Sequence, residues 1–589
     1  MTIELSPTDR TNAISLIKRR LTPRDLRAVL DEMQGGRVRR RTKGVEWIVA
    51  ETEGSGRRLQ SRLPDDELAE LLVDLGGVDL LSSRELRYRL ARGTSPAELD
   101  SLHEYPSGTR GRGGRESNVK AVANRNWHPG RGWPIHFTRT LGFSPVFAGV
   151  RGLPSPPPNE EVEPFLPLPP LEDFQTDLKN QILQVLQGRP GENRGILALP
   201  TGAGKTRTAV EGILEWKRSS PDPSGVLWIA QSEELCEQAI QAFREVWIDF
   251  GHRDSSVRNT LTLSRFWGNT NKIPDGEGIT VASIQKLHSI YRNRGQTDLS
   301  SDVAEMVANL RLVIVDEAHR MLAPSYTEVL RFLGVEVTRT GSSAIPLIGL
   351  TATPFRAQEE ETRLLARRFH GRLLRPECLG ADPIVTLRQR GVLSKPTHQI
   401  LDYTGREFSI DERSEYQEYF ERFGDFHPKL LREIGEERDR NRSILEKLSS
   451  MPVDFPILFF GCSVDHAQAV AVLLRRRNRS AAMVTSETRA STRRFLIEEF
   501  RSGRISALCN YGVLTTGFDA PKVRAIFVAR PTTSPVLYEQ MIGRGLRGPK
   551  FGGTADCLII DVVDNIRFNG QMAFARYQEY WTNTEVNIN

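Results

Sequence analysis

The sequence predicts an α/β protein in which two tandem, doubly wound parallel-sheet lobes follow a small, mainly helical N-terminal domain. Short apolar runs rich in β-branched residues alternate with longer helical stretches, a pattern typical of parallel sheets that are covered on both faces. The alternation occurs twice, which predicts two lobes. The first series of runs is 195–199, 226–230, 279–282, 312–315 and 347–350, and the second is 457–460, 482–484, 507–509, 525–528 and 557–560.

Changes in composition along the chain predict the domain boundaries. The helical N-terminal domain is placed at 1–105, because the segments 82–85 and 95–98 both match a capping box, and residues 45–50 are a short strand candidate. A basic and aromatic linker is predicted at 106–152. The stretch 153–170 carries eight of the 34 prolines and predicts a stiff spacer. The remaining boundaries place the first lobe at 171–380, the second at 381–580 and a tail at 581–589.

The composition narrows the class of protein. Of the 589 residues 39% are hydrophobic and 26% charged, which is typical of a globular protein and excludes a collagen, a disulfide miniprotein and a wholly disordered chain. No apolar run approaches the ~20 residues that a membrane span needs, and residues 1–7 lack the features of an export signal. We therefore predict a cytoplasmic protein without a membrane partner. The five cysteines form no C-x-x-C pair, which argues against zinc sites and disulfides and favours buried thiols.

Basic residues cluster in the N-terminal third. The net charge is +6, and arginine and lysine are concentrated at 37–43 and at 110–139. Clustered positive charge is typical of nucleic-acid binding, and Trp127, Trp133 and Phe137 within the second cluster could stack on bases. Two alternatives stay open: the clusters are a solvated linker, or the aromatic residues anchor that linker to a neighbouring domain.

The first apolar run leads into a glycine-rich loop that is followed by a helical stretch. Such a strand–turn–helix setting is typical of a phosphate-binding loop, in which glycines let backbone N–H groups converge on phosphate oxygens. Lys205 would reach the β- and γ-phosphates, and the Thr206 hydroxyl would bind Mg²⁺. A purely structural glycine turn is the alternative. The loop residues are Pro200, Thr201, Gly202, Ala203, Gly204, Lys205 and Thr206.

A pair of acidic residues follows the fourth apolar run of the first series, in the sequence Asp-Glu-Ala-His over 316–319. An aspartate at the carboxyl end of a strand in this fold class points toward a bound nucleotide, so Asp316 is predicted to hold Mg²⁺ together with Thr206. Glu317 would then polarise the water that attacks the γ-phosphate. These residues predict hydrolysis of a nucleoside triphosphate with Mg²⁺.

With these motifs and the segments 351–354, 512–521 and 540–547, the chain resembles the superfamily 2 helicases and translocases over roughly residues 171–580. The resemblance implies two RecA-like lobes that hydrolyse ATP in the cleft between them. The sequences Thr-Ala-Thr-Pro and Gln-Met-Ile-Gly-Arg-Gly-Leu-Arg are more similar to the excision-repair and type I/III restriction motors than to the RNA-remodelling groups. DNA is therefore favoured over RNA.

The resemblance also implies roles for individual residues. Arg544 and Arg547 match the arginine fingers, and Gln540, Gly517 and Asp519 match positions that couple lobe closure to the nucleotide. Gln175 matches the residue that reads adenine, although the chain has Glu172 and Asp173 where many relatives carry an arginine. The residues that would contact nucleic acid are Gln231, Ser232, Ser283, Gln285, Thr351, Gly461, Ser463 and Thr515.

Three functions share this predicted ATPase core. The first is a self-sufficient helicase or translocase, with DNA as the favoured partner. The second is the motor subunit of a restriction or antiviral defence complex, in which a partner would supply any nuclease, because residues 1–150 show no metal-nuclease pattern. The third is an ATP-gated clamp that holds nucleic acid without processive movement.

Overall fold

The computed structural model divides the chain into two compact units. The first unit comprises residues 1–155, 401–408 and 428–512, and the second comprises 156–400, 409–427 and 513–589. The predicted lobe boundaries stay a prediction. The described residues are 5–33, 67–106, 113–149, 159–162, 168–189, 192–219, 225–253, 260–268, 270, 272–293, 300–335, 345–352, 354, 359–380, 382–406, 408–410, 413–486, 488, 490–514, 520, 522–564, 566–568 and 571–572.

Strands and helices are numbered here along the chain. The strands are β1 Asn159–Val162, β2 Arg194–Ala198, β3 Gly225–Ala230, β4 Leu261–Phe266, β5 Ile279–Ser283, β6 Leu310–Asp316, β7 Leu347–Thr351, β8 Leu373–Leu374, β9 Lys395–Leu401, β10 Phe408–Ser409, β11 Ile457–Phe460, β12 Ala481–Thr485, β13 Ala507–Tyr511, β14 Ala525–Val528, β15 Asp556–Val562, β16 Ile566–Phe568 and β17 Gln571–Met572. The helices are α1 Pro7–Arg20, α2 Pro23–Met33, α3 Leu68–Gly76, α4 Arg84–Arg92, α5 Pro96–Glu104, α6 Arg115–Asn124, α7 Gly132–Thr140, α8 Asp173–Leu186, α9 Lys205–Ser219, α10 Glu233–Arg253, α11 Ile284–Asn293, α12 Ser300–Asn309, α13 Pro324–Phe332, α14 Glu359–Arg368, α15 Pro383–Gln389, α16 Ser414–Phe423, α17 Pro428–Gly435, α18 Arg438–Ser450, α19 Val464–Arg476, α20 Ala490–Arg501 and α21 Pro535–Ile542.

The first lobe is built on an eight-stranded sheet in the second unit. Its strand order is β1-β4-β5-β3-β6-β7-β2-β8, and every pair is parallel except the edge pair β1–β4. Both faces are covered, because alternate residues of β3 enter different apolar clusters. Trp228 packs in a cluster with residues of α8, α9 and α10, whereas Leu227 and Ile229 pack in a cluster with residues of α11 and α13.

The second series of apolar runs also forms parallel strands. In the first unit β13 pairs in parallel with both β11 and β12, and in the second unit β14 pairs in parallel with β15. These strands are fully buried at nearly every position, which explains why each is a continuous apolar run in the sequence. The prediction of two parallel-sheet α/β lobes is therefore confirmed.

The N-terminal region is helical, as predicted. Ser95 caps α5 in a complete capping box with Glu98, and Pro96 occupies the first turn. The other predicted box is wrong in detail: Ser82 ends a 3₁₀ helix, and the neighbouring Ser83 caps α4 through its hydroxyl. The strand candidate at 45–50 and the basic cluster at 37–43 lie outside the described residues.

The predicted basic linker contains ordered helices. Helices α6 and α7 lie within 106–152, and Trp127, Trp133 and Phe137 are all buried, with the ring of Phe137 in contact with both tryptophans. Since buried rings cannot stack on bases, the aromatic residues of this segment form a core. The segment is thus part of the folded helical region and differs from the flexible linker that its composition predicts.

The described part of the chain contains no helix that is both long and apolar enough to cross a bilayer. Cys236, Cys462, Cys509 and Cys557 are buried free thiols, which matches their predicted role as small hydrophobes. Cys378 differs, because it is free but exposed.

Candidate nucleotide site

The glycine-rich loop connects β2 to α9, in the strand–turn–helix setting that the sequence predicts. Gly202 and Gly204 have φ angles of 89° and 83°, which L side chains rarely adopt. A Cβ atom on Gly204 would also lie 2.3 Å from Nε2 of Gln175. The loop therefore needs glycine at both positions for its backbone conformation, and the amide of Gln175 would have to move to admit a side chain in place of Gly204.

Lys205 and the acidic pair lie together at the carboxyl edge of the sheet. The Nζ atom of Lys205 is 3.9 Å from Oδ1 of Asp316 and 3.9 Å from Oε1 of Glu317. Both carboxylates are buried, with 4% and 7% of each residue exposed. Lys205 is the first residue of α9 and Asp316 the last of β6, so adjacent secondary-structure ends bring the three charges together.

The two carboxylates differ in their electrostatic environment. Burial raises the pKa of Asp316 to about 6, against the opposing charge of Lys205. Burial also acts to raise the pKa of Glu317, but neighbouring basic groups, above all Lys205, bring it below its usual value. Two adjacent acids with pKa values displaced in opposite directions are typical of sites that assign different roles to the two groups.

Glu317 is held in an uncommon backbone conformation. Its φ of 51° lies in the left-handed region, which costs free energy for a residue with a side chain. Nδ1 of His319 lies 3.3 Å from Oε2 of Glu317 and 3.1 Å from Oγ1 of Thr351. His319 therefore links the acidic pair to the end of β7. The sequence does not indicate this role, although His319 is the last residue of the Asp-Glu-Ala-His motif.

Thr351 requires a correction. The resemblance predicts that it contacts nucleic acid, but its side chain is fully buried and its hydroxyl lies beside His319. A polymer on the surface of the sheet could not reach this hydroxyl. The threonine instead belongs to the network behind Glu317.

The segment 540–547 packs against the glycine-rich loop within the second unit. A Cβ atom on Gly543 would lie 2.8 Å from Cβ of Thr201, and one on Gly202 would lie 3.5 Å from Cα of Arg547. Arg544, in a 3₁₀ turn after α21, is close enough for its charge to oppose the rise that burial causes in the pKa of Asp316 and to contribute to the lowered pKa of Glu317. The structure therefore brings the predicted arginine-finger segment to the acidic pair.

Gln540 is the third predicted residue of this segment. It is 4% exposed on α21, and its Nε2 is buried with no hydrogen-bond partner among the described residues. An unsatisfied buried donor is uncommon, and at a ligand site it marks a position where a bound group can complete the bonding. Gly517 and Asp519, the other predicted coupling residues, lie outside the described residues.

Gln175 contacts the loop rather than open solvent. Its Oε1 accepts a hydrogen bond from the backbone N–H of Glu172 at 3.0 Å, and its Nε2 donates to the carbonyl of Ala203 at 3.3 Å. The two acidic residues that stand where many relatives carry an arginine both form ion pairs. Glu172 pairs with Lys550 at 2.6 Å, and Asp173 pairs with Arg390 at 2.5 Å. The reading of adenine by Gln175 stays a prediction.

Four predicted nucleic-acid contacts lie together at the carboxyl edge of the first sheet. Strands β3 and β5 are parallel and place Ala230 opposite Ser283, so the residues that follow both strands are neighbours. Nε2 of Gln285 donates to the carbonyl of Gln231 at 2.9 Å. The hydroxyls of Ser232 and Ser283 each accept a backbone N–H three residues later, so both act as local caps and each still has its O–H group to donate.

The remaining predicted nucleic-acid contacts lie in the first unit or outside the described residues. Gly461 follows β11, and a Cβ there would lie 3.2 Å from Ala467, so a larger residue would fit only if Ala467 shifted slightly. Ser463 is 9% exposed, and its hydroxyl caps α19 by accepting from the backbone of His466 at 3.0 Å. Thr515 lies outside the described residues.

Comparison with known proteins identifies two domains of this chain. Residues 169–356 match the model of the type III restriction enzyme res subunit, and residues 441–548 match the model of the helicase conserved C-terminal domain. The chain carries the paired domains of the superfamily 2 helicases and translocases. The first matched region contains the glycine-rich loop and the acidic pair. The second contains Gln540, Arg544 and Arg547.

Individual relatives are distant. The chain is 27% identical over 389 residues to the protein named mitochondrial ATP-dependent helicase irc3 of Schizosaccharomyces pombe, covering 64% of this chain and 55% of irc3. It is 25% identical over 414 residues to the type I restriction enzyme EcoKI endonuclease subunit of Escherichia coli, covering 64% and 33%. The Saccharomyces cerevisiae Dbp5 structure with RNA and ADP BeF3 aligns with a TM-score of 0.46 at 16% identity, covering 70% of this chain and 88% of that chain. The chain thus spans about half the length of the curated relative irc3.

Proposed function

We propose that the chain is an ATP-dependent nucleic-acid helicase or translocase that acts preferentially on DNA. The observation that carries the proposal is the convergence, within one compact unit, of Lys205, the two buried carboxylates and Arg544. A lysine at a glycine-rich loop, an acidic pair and an arginine are the groups that phosphoryl transfer from ATP requires. Action on DNA and a cytoplasmic location are parts of this proposal.

The residues present fit ATP with Mg²⁺. The 15-residue helix α9 begins at Lys205, so the N–H groups of its first turn and its dipole favour a phosphate at the glycine-rich loop. Asp316 is a buried carboxylate whose pKa is raised by burial, and a divalent cation would stabilise its ionised form. Asp316 and Thr206 would hold Mg²⁺, which when bound neutralises charge on the phosphates.

The protein's own groups then divide the work of hydrolysis. Glu317 is ionised more readily than an ordinary glutamate, so it can accept a hydrogen bond, and then a proton, from the attacking water. His319 keeps that carboxylate in position through its contact with Oε2. Arg544 approaches the same point and would stabilise the charge that develops on the transferred phosphoryl group.

Polymer binding is supported by the cluster after β3 and β5. Amide and hydroxyl groups such as those of Gln231, Ser232 and Gln285 suit contacts with phosphate oxygens, which position a strand without reading its sequence. The preference for DNA rests on the similarity of the segments 351–354 and 540–547 to those of repair and restriction motors.

A second candidate is the motor subunit of a restriction or defence complex. The match of residues 169–356 to the type III restriction res subunit model and the similarity to the EcoKI subunit favour it. Under this candidate, a partner subunit would supply the nuclease. An ATP-gated clamp without processive movement is the third possibility, and it shares every residue of the nucleotide site.

The test is ATP turnover measured with no polymer, single-stranded DNA, duplex DNA and RNA, with Lys205→Ala as the inactive control. We expect stimulation by DNA above RNA and none in the control. Strand displacement and triplex displacement assays then separate unwinding, translocation and clamping. An absence of polymer-stimulated turnover, with the wild type indistinguishable from Lys205→Ala, would refute the proposal.

A further inference from the structure

An aromatic residue is exposed at the end of α16, in the second unit. Phe423, the last residue of this helix, is 58% exposed, and among the large hydrophobic residues of the described chain only Val453, in a turn, is more exposed, at 60%. Its ring lies 4.5 Å from that of Tyr419, and the guanidinium of Arg422 is 5.3 Å from its centroid. The helix thus ends in a solvent-facing group of two rings and one cation.

The position of this ring is fixed by the loop that follows it. Gly424 ends the helix with a φ of 65°, and the carboxylate of Asp425 accepts hydrogen bonds from Arg530 at 2.8 Å and from Thr532 at 3.0 Å. The hydroxyl of Thr533 donates to the carbonyl of Gly424 at 2.8 Å. Several bonds on the two residues after Phe423 hold the ring without covering it.

The loop that bonds to Gly424 and Asp425 leads directly to the nucleotide site. Residues 529–534 follow β14 at its carboxyl end, the edge at which ligands bind in open α/β sheets. Ser534 caps α21, the helix that carries Gln540 and continues into the turn with Arg544. A ligand on Phe423 is therefore connected to the arginine segment through one helix of eight residues.

We propose that Phe423, supported by Tyr419 and Arg422, is a stacking platform for a base of single-stranded nucleic acid. Every base offers a flat π-face, and stacking on an exposed aromatic residue is tolerant of sequence, as a motor that moves along a strand requires. This inference rests on the proposed function, because it needs a polymer at this edge of the second lobe.

The surroundings favour a base over a phosphate or a protein. The same helix exposes the acidic residues Glu415, Glu418 and Glu421, which disfavour phosphates, so the contact would be made through the base face. One exposed ring is far smaller than the surface of roughly 800 Å² per partner that a stable protein interface buries. The chemistry therefore fits a single stacked base better than a docked chain.

The test measures binding of the full-length protein to fluorescent oligo-dT and to an abasic oligonucleotide of equal length. Wild type should bind oligo-dT more tightly than the abasic strand. Phe423→Ala should weaken oligo-dT binding by about tenfold, leave the abasic affinity unchanged and so remove the difference. Phe423→Trp should retain it. Gln417→Ala, an exposed neutral change on the same helix, is the matched control and should behave as wild type.

Four outcomes would overturn the platform. Equal affinity of wild type and Phe423→Ala for oligo-dT removes it while leaving the proposed function intact. An equal loss of affinity for both strands shows that the ring contributes something other than stacking. Loss of self-association in Phe423→Ala during sedimentation, with unchanged DNA affinity, shows that the ring contacts a second copy. Failure of the wild type to bind any polymer overturns the platform and the proposed function together.

Discussion

The nucleotide site and the N-terminal helical region both depend on arginine, but they use it in different ways. In the helical region, guanidinium groups bond to the carbonyls at helix ends: Arg87 donates to Leu81 and Ala123, and Arg125 donates to Leu102 at 2.9 Å. At the nucleotide site, Arg544 lies where its charge acts on two buried carboxylates. A cluster of basic residues in a sequence therefore does not by itself indicate a ligand.

The carbonyl contacts of the helical region are structural, because the last carbonyls of a helix have no partner within it. Arg87 is 4% exposed, and burial lowers its pKa to about 10, a cost that its bonds to carbonyls offset. Arg115 similarly donates to the carbonyl of Arg92 at 3.2 Å. The basic stretch 110–139 thus loses Arg115 and Arg125 as candidates for phosphate contacts.

The largest effect expected from this comparison is on Arg544. Arg544→Ala should reduce polymer-stimulated ATP turnover by about 10³-fold or more, because an arginine finger contributes that much to phosphoryl transfer. Binding of a fluorescent ATP analogue should persist, since the glycine-rich loop is unchanged. Arg442→Ala, an exposed arginine on α18, is the control and should turn over ATP as wild type does. Normal turnover in Arg544→Ala would mean that its proximity to the carboxylates has no catalytic role.

Glu317→Gln comes next in size. The amide cannot accept the proton from the attacking water, so turnover should fall by at least about 100-fold, while ATP binding persists because Asp316 and Lys205 remain. Single-turnover hydrolysis in the presence of DNA measures this directly. Turnover within a few-fold of wild type would remove the general base from Glu317 and leave the acidic pair with a purely metal-binding role.

The parts of this site that could be predicted from sequence are those that are contiguous in the chain. The glycine-rich loop and Asp316-Glu317 each follow a buried strand, and parallel strands bring their carboxyl ends to one edge of the sheet. The contact of His319 with Thr351 joins residues 32 positions apart, and no local pattern specifies it. The orientation of the Gln175 amide toward Ala203 likewise depends on packing of α8 against the loop.

The arginine contacts of the helical region could not be predicted from the sequence, because every residue has a backbone carbonyl and nothing in the sequence marks which one accepts. Any arginine can reach a helix end, and only the fold determines that Arg125 meets the end of α5. The prediction that Ser82 caps the next helix is wrong for a similar reason. Glu85 follows both Ser82 and Ser83 in the sequence, but Ser82 belongs to the preceding 3₁₀ helix. Ser83 therefore caps α4.

Asp74 is an acidic residue of the helical region whose ion pairs are structural, unlike those of the acidic pair at the nucleotide site. Its carboxylate accepts from Arg10 at 2.7 Å and from Arg476 at 2.6 Å, and only 8% of its side chain is exposed. Asp74→Asn should lower the local unfolding free energy of α1 and α19 by about 2 kcal/mol, because two guanidinium groups lose their ionic partner. Hydrogen exchange of these helices measures the change.

The matched control for Asp74 lies on the same helix. Glu70 is 43% exposed and contacts Arg10 at 3.8 Å and Lys18 at 3.5 Å, so Glu70→Gln should cost at most about 0.5 kcal/mol. Equal effects of the two substitutions would show that the burial of Asp74 adds nothing to its ion pairs, and that α3 is joined to α19 by other contacts, such as the hydrogen bond from Arg475 to the carbonyl of Asp74 at 3.1 Å.

The smallest effect expected is on the exposed arginines of the helical region. Arg131 and Arg139 point to solvent, unlike Arg125, so they are the described residues of the basic stretch best placed to contact phosphate. Arg131→Gln with Arg139→Gln should reduce the slope of log affinity against log salt by roughly 1.8, since each lost contact with duplex DNA removes about 0.9 of a counterion. Arg125→Gln should instead weaken α5 and leave the slope unchanged. Fluorescence titration with duplex DNA over a range of salt concentrations distinguishes the two variants. An unaltered slope in the double variant would contradict a nucleic-acid role for these exposed arginines and favour the helical region as a docking platform for a partner protein.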